Sequence, residues 1–176
     1  MTPPNIIDIE ASGFGTGSYP IEIGYISRYR KVWCSLIIPT ENWLHWDQSA
    51  ESLHKISRDT LFEHGKDVGI VAAHLNDVFQ NQTVYTDGWL QDFTWISRLF
   101  ELAEIRPHFK LEDLRTILTP HQESIWHETK QSIFHELQAR RHRASADAQV
   151  LQMTWVKTAE SEAQTSTYNR SHHNIY

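Results

Sequence analysis

Hydrophobic residues in this chain recur at two periods, and the change of period separates strands from helices. Asn5 to Glu10 packs Ile6, Ile7 and Ile9 into one short run, β-branched bulk that predicts a strand. Ala11 to Tyr19 is rich in Gly and Ser and predicts a turn. Pro20 to Ile26 and Lys31 to Ile38 predict a second and a third strand, so the chain opens as an antiparallel meander. Pro39 to Ala50 reads as an irregular connection bearing tryptophans. Helical spacing then takes over, with a short helix from Ser57 to Glu63 and a clearer one from Val68 to Phe79 carrying Val71, Leu75 and Val78. Thr83 to Thr86 predicts a fourth strand. The helix after it runs from Trp89 to Ile105, with an apolar stripe of Trp89, Phe93, Ile96, Phe100 and Ala103, and stops before Pro107. Phe109 to Leu111 predicts a fifth strand, and Leu114 to Leu118 a helical turn. Glu123 to Ala139 and Ser145 to Ala159 predict the closing helices. The polar, Ser/Thr-rich segment from Glu160 to Tyr176 predicts a loosely held tail. Three strands followed by alternating helices and strands describe an α/β domain with a mixed sheet over residues 1–159, then a tail over 160–176. Element order alone leaves other α/β folds open.

Composition narrows the class. A chain of 176 residues fits one domain with a substantial core, and 40% hydrophobic residues with seven tryptophans support a compact globule. The single cysteine, Cys34, excludes an internal disulfide framework and fits a reducing compartment. Its place in the apolar run Val32 to Ile38 predicts a buried side chain. No stretch approaches the ~20 apolar residues of a transmembrane helix, and Met1-Thr2-Pro3-Pro4 lacks the features of a signal peptide. A cytoplasmic location is the expectation. The net charge of −6 argues against broad electrostatic capture of duplex DNA, while leaving room for a short or locally gripped strand.

Three local contexts carry candidate chemistry. Residues two apart on a strand share a face, so Asp8 and Glu10 project together while Ile7 and Ile9 pack on the other side. Two like charges side by side disfavour folding unless a cation compensates them, and hard carboxylate oxygens suit Mg²⁺ or Mn²⁺. Asp92 borders the apolar face of its helix, where a carboxylate is either half-buried or held for a purpose. His142 precedes Asp147 at the start of the last helix, and a histidine can deprotonate water near neutrality. Each also has a plainer reading: exposed acids on an edge strand, a helix-start acid favoured by the macrodipole, and a solvated histidine in a basic stretch.

The motifs around these residues go further. Asp8-Ile9-Glu10-Ala11-Ser12-Gly13-Phe14, followed by Ile21-Glu22-Ile23-Gly24, resembles the first motif of the DEDDh 3′→5′ exonucleases, the DnaQ-like family of the ribonuclease H fold. Val84 to Asp92 resembles the second motif, although Thr86-Asp87 stands where His-Asn is common; Asp87 is an accessory candidate. His142-Arg143-Ala144-Ser145-Ala146-Asp147-Ala148 resembles the third, H-x-A-x-x-D-A. The sister branch carries a tyrosine where this chain has Arg143. The resemblance implies a mixed five-stranded sheet flanked by helices. It also implies two Mg²⁺ or Mn²⁺ ions held by Asp8, Glu10, Asp92 and Asp147, with His142 as the base of a hydrolysis that releases nucleoside 5′-monophosphates.

Substrate contacts are expected at Ser12, Gly13, Phe14, Trp89 and Arg143, with Arg140 and Arg141 beside the base and Lys55 and Arg58 as lesser candidates. Phe14 and Trp89 offer rings for the terminal bases. The expected substrate is a 3′ end of single-stranded DNA or short RNA, with no membrane partner; a homodimer is left open. The alternatives are a catalytically silent nuclease-like interaction module and a proofreading subunit of a DNA polymerase.

Overall fold

The computed structural model describes residues 2–138 and 142–172, with side chains through residue 164. Strands β1 (Asn5–Ala11), β2 (Pro20–Ile26) and β3 (Val32–Leu36) form the opening meander. Helices α1 (Gln48–His54), α2 (Arg58–His64) and α3 (Val68–Phe79) follow, then β4 (Thr83–Thr86), α4 (Trp89–Leu102) and β5 (Lys110–Asp113). A 3₁₀ turn (Leu114–Ile117), α5 (Pro120–Glu136) and α6 (Ala144–His172) complete the described chain. The five strands form one sheet in the order β3-β2-β1-β4-β5. β1 runs antiparallel to β2 and parallel to β4, and β4 runs parallel to β5.

Alternation along β1 divides the core. Ile7 and Ile9 join the larger cluster with Val71, Leu75, Trp95 and Leu99 from α3 and α4. Ile6 joins the smaller one on the opposite face, with Leu114, Ala148 and Leu151. Asp8 and Glu10 share a face with Ile6, so both carboxylates point toward the side that α6 covers. The carboxyl ends of the parallel strands β1 and β4 open together, the usual position for a ligand site in an α/β sheet.

Several expectations are corrected. Helix α1 begins at Gln48, inside the connection expected to stay irregular through Ala50. It is nucleated by Asp47, whose carboxylate accepts the Ser49 N–H at 2.8 Å. Helix α5 begins at Pro120, three residues before the expected start, because Thr119 and Gln122 form a reciprocal capping box. The stripe of α4 is rotated: Asp92, Trp95, Ile96, Leu99 and Phe100 are buried while Phe93 is exposed, so Asp92 belongs to the buried face. Cys34 is exposed, because β3 is the sheet edge and turns Cys34 outward and Ser35 inward. Helix α6 does not stop at Ala159 but runs on to His172, through most of the segment expected as a tail. Among the described residues, no helix is long and apolar enough to cross a membrane.

Candidate metal centre

Two residues of β2 bring α6 to β1. A Cβ on Gly24 would stand 2.1 Å from the Ser145 backbone N and 2.4 Å from the Ala144 carbonyl carbon, so only glycine lets the start of α6 lie on the sheet. In the strand ladder Gly24 is the partner of Asp8. Glu22 is buried beside it and accepts the Ala144 N–H at 2.9 Å, anchoring the first turn of the helix. Arg143 closes the arrangement with a forked ion pair, its Nη2 donating to Glu22 Oε1 at 2.6 Å and its Nε to Oε2 at 3.1 Å. Arg143 therefore pairs its guanidinium with Glu22 and lines neither of the two cavities described below.

Docked in this way, α6 sets Asp147 against β1. Ligand oxygens of Asp8, Glu10 and Asp147 all lie within 4.8 Å of one another. Asp92, from the first turn of α4, and His142 line the same cavity of about 540 Å³. The Asp92 carboxylate accepts a hydrogen bond from the buried Thr86 hydroxyl at the end of β4. Thr86 thus occupies the departure from the second motif and orients the acid that motif supplies. His142 has a left-handed backbone (φ 60°), and its N–H donates to Asp147 Oδ2 at 2.9 Å, fixing loop and acid together.

Electrostatics set this cluster apart from exposed surface acids. Burial, then the charges of Asp92, Asp147 and Glu10, hold the Asp8 carboxyl well above the usual range. Glu10 is pushed up to about 7 by burial and then by Asp147, Glu22 and Asp92. Asp92 is pushed up to about 7 mainly by burial, against the Thr86 hydrogen bond. Burial also raises Asp147, opposed by the His142 N–H. Four crowded carboxylates whose ionised forms are disfavoured fit a divalent cation, which supplies the missing positive charge and prefers oxygen ligands.

The remaining expected residues divide. Gly13 and Phe14 line the cavity, and the Phe14 ring is 70% exposed, 6.0 Å from that of Trp95. Gly13 has φ +137°, and a Cβ there would meet Asp47 Cβ at 2.5 Å. Ser12 is buried in the turn, with Oγ bonded to His45 Nδ1 at 2.9 Å and accepting the Tyr19 N–H at 3.1 Å. Trp89 does not line the cavity; its indole N–H donates to the Leu111 carbonyl at 3.3 Å and its ring packs on Phe93. Arg58 donates to the Tyr19 hydroxyl and the Trp43 carbonyl, and Lys55 forms the left-handed C-cap of α1. Arg140 and Arg141 lie outside the described residues. Asp87 pairs with Lys130 at 2.7 Å.

Ala50, Leu53, His54, Gln91 and Trp95 line the cavity without having been singled out in the sequence. His54 is buried; its Nδ1 accepts the Ile56 N–H at 3.1 Å, which leaves the ring proton on Nε2. Burial lowers its pKa, consistent with a neutral ring.

No protein-family model and no curated protein matches the chain. Solved structures do. A structure of exonuclease I superposes on 99% of this chain with a TM-score of 0.70 at 14% identity. E. coli exonuclease I bound to a dT13 oligonucleotide covers 97% of it with a TM-score of 0.65 at 13% identity. The complex with a dA16 oligonucleotide covers 85% with a TM-score of 0.61 at 13% identity. The fold is ribonuclease H-like. This chain spans 44%, 43% and 39%, respectively, of those longer chains.

Proposed function

We propose that this chain is a metal-dependent 3′→5′ exonuclease that hydrolyses phosphodiester bonds from the 3′ ends of single-stranded DNA or short RNA and releases nucleoside 5′-monophosphates. The observation that carries the reading is the convergence of Asp8, Glu10 and Asp147 within 4.8 Å, in a cavity shared with Asp92 and His142. Exonuclease I structures with bound oligonucleotides support a single strand as substrate.

Asp8, Glu10, Asp92 and Asp147 would hold two ions, Mg²⁺ or Mn²⁺. When bound, such ions supply Lewis-acid stabilisation of the phosphate and a water of lowered pKa. No lysine or arginine lines this cavity among the described residues, so its acids need those cations before a phosphate can approach. His142, on a loop tied to Asp147, takes the proton of the attacking water. Phe14 presents an exposed ring for the terminal base, and Ala50 and Leu53 of α1 give the cavity an apolar wall.

The test compares 3′-labelled single-stranded DNA, duplex DNA and short RNA with Mn²⁺ present and absent. The expected result is Mn²⁺-dependent release of label from single strands, abolished by Asp8→Ala or His142→Ala in protein that remains folded. Full activity in either variant defeats the residue assignment. No metal-stimulated release from any 3′ end supports the silent interaction module instead.

A further inference from the structure

A second cavity, of about 360 Å³, lies beside the acidic cluster and shares His142 and Asp147 with the first. Its other wall is α5. His127, Lys130, Gln131 and Phe134 follow the i, i+3, i+4, i+7 spacing of one helix face, so they form a single strip along the cavity. Among the described residues lining the two cavities, Lys130 is the only lysine or arginine. Its Nζ lies 2.7 Å from Asp87 Oδ2, and the side chain is about two-fifths exposed, so the ammonium is steered by Asp87 yet open to a second partner. Its charge also reaches Asp147.

The two cavities differ in kind. The first combines the carboxylates with Phe14, Leu53 and Trp95, and suits a base held beside bound cations. The second combines an ammonium, an amide and an aromatic ring, the groups that take a phosphate and the base attached to it. We propose that the α5 cavity is a second nucleotide subsite, in which Lys130 takes a phosphate and Phe134 packs against the adjoining base. The proposal rests on the exonuclease reading. Its ligand is a nucleotide unit, either the neighbouring residue of the bound strand or a released nucleoside 5′-monophosphate.

The test uses the full chain with Mn²⁺ and a single-stranded oligonucleotide, comparing Lys130→Gln, Lys130→Arg, Phe134→Leu and the double variant Asp87→Asn/Lys130→Gln. If the strand occupies the subsite, Lys130→Gln raises KM about 3- to 10-fold and flattens the salt dependence of log(kcat/KM) by about 0.7, the slope of one single-strand phosphate contact. Lys130→Arg retains wild-type behaviour, and Phe134→Leu raises KM with an unchanged salt slope. If the released mononucleotide occupies it, inhibition by added nucleoside 5′-monophosphate weakens in Lys130→Gln while KM stays put. The proposal is overturned if neither quantity moves. It is equally overturned if Asp87→Asn/Lys130→Gln restores wild-type values, since Lys130 would then serve only to neutralise Asp87. A wild-type chain without metal-dependent release refutes the exonuclease reading itself, and the comparison of variants separates that failure from this one.

Discussion

Gly24→Ala is the most informative single substitution outside the acids. The added Cβ would lie 2.1 Å from Ser145 N, 2.4 Å from Ala144 C and 2.6 Å from Ser145 Cα, where ordinary contact begins at 3.4 Å. All three atoms are backbone, so no side-chain rotation relieves the overlap. The start of α6 must withdraw from the sheet by roughly 1 Å, because a packed interior has no slack to absorb the methyl. Asp147 rides on that first turn and moves with it, away from Asp8 and Glu10. Metal ligation tolerates about 0.2 Å of displacement, and a misplacement of about 1 Å costs on the order of 10²-fold in rate. Overpacking of this kind also costs about 1–3 kcal/mol of stability. The assay is Mn²⁺-dependent release from a 3′-labelled single strand at a temperature well below unfolding, alongside urea denaturation of the same sample. A variant with wild-type rate and wild-type Mn²⁺ dependence would refute the claim that close helix–sheet contact at Gly24 positions Asp147.

Three further outcomes are expected. Glu22→Gln weakens the forked pair with Arg143 and the anchor of α6, lowering stability by about 1–3 kcal/mol as judged by denaturant midpoint; an unchanged midpoint would show that the pair is dispensable. Glu10 and Asp92 have folded-state pKa values near 7, above their unfolded values, so the metal-free folded chain binds the extra protons. Its stability therefore falls as pH rises from about 4 to about 7, and Mg²⁺ should raise Tm more at about pH 8 than at about pH 5; equal gains at both would contradict the crowded-acid account. Phe14→Ala should raise KM for single strands while leaving the unfolding midpoint near wild type, whereas Trp89→Ala, which removes packing against Phe93 and the bond to Leu111, should lower the midpoint and leave KM unchanged. The reverse pattern would return Trp89 to the substrate.

How much could be read in advance depends on the range of the interaction. Asp8 and Glu10 were legible because strand alternation is a local rule, and Ile7 and Ile9 mark the opposite face unambiguously. The spacing of His142 to Asp147 is likewise local, and the structure joins the two by a hydrogen bond. Asp92 was recognised as close to an apolar face, but the helix is turned further than a stripe through Trp89 and Phe93 suggested: Trp89 donates to the Leu111 carbonyl of β5 and Trp95 reaches the Ser18 hydroxyl. The pairing of Arg143 was hidden for a different reason. Its partner, Glu22, is 121 positions away, and a free arginine beside a candidate base reads as a phosphate contact. Cys34 looked buried because strand order is a tertiary property, and an apolar run does not reveal which strand becomes the edge. Helix α1 has too few turns to establish a period, although Asp47 as a cap with Glu51 in the first turn was a usable signal.

The central claim is that acids from β1, α4 and α6 form one divalent-metal centre. Calorimetric titration of Mn²⁺ into the purified chain without substrate tests it most directly. The account predicts saturable binding of two ions per chain, with protons released as the raised carboxyls ionise, and loss of that binding in Asp8→Asn. Absence of saturable binding to the wild-type chain, or undiminished binding to Asp8→Asn, would contradict it.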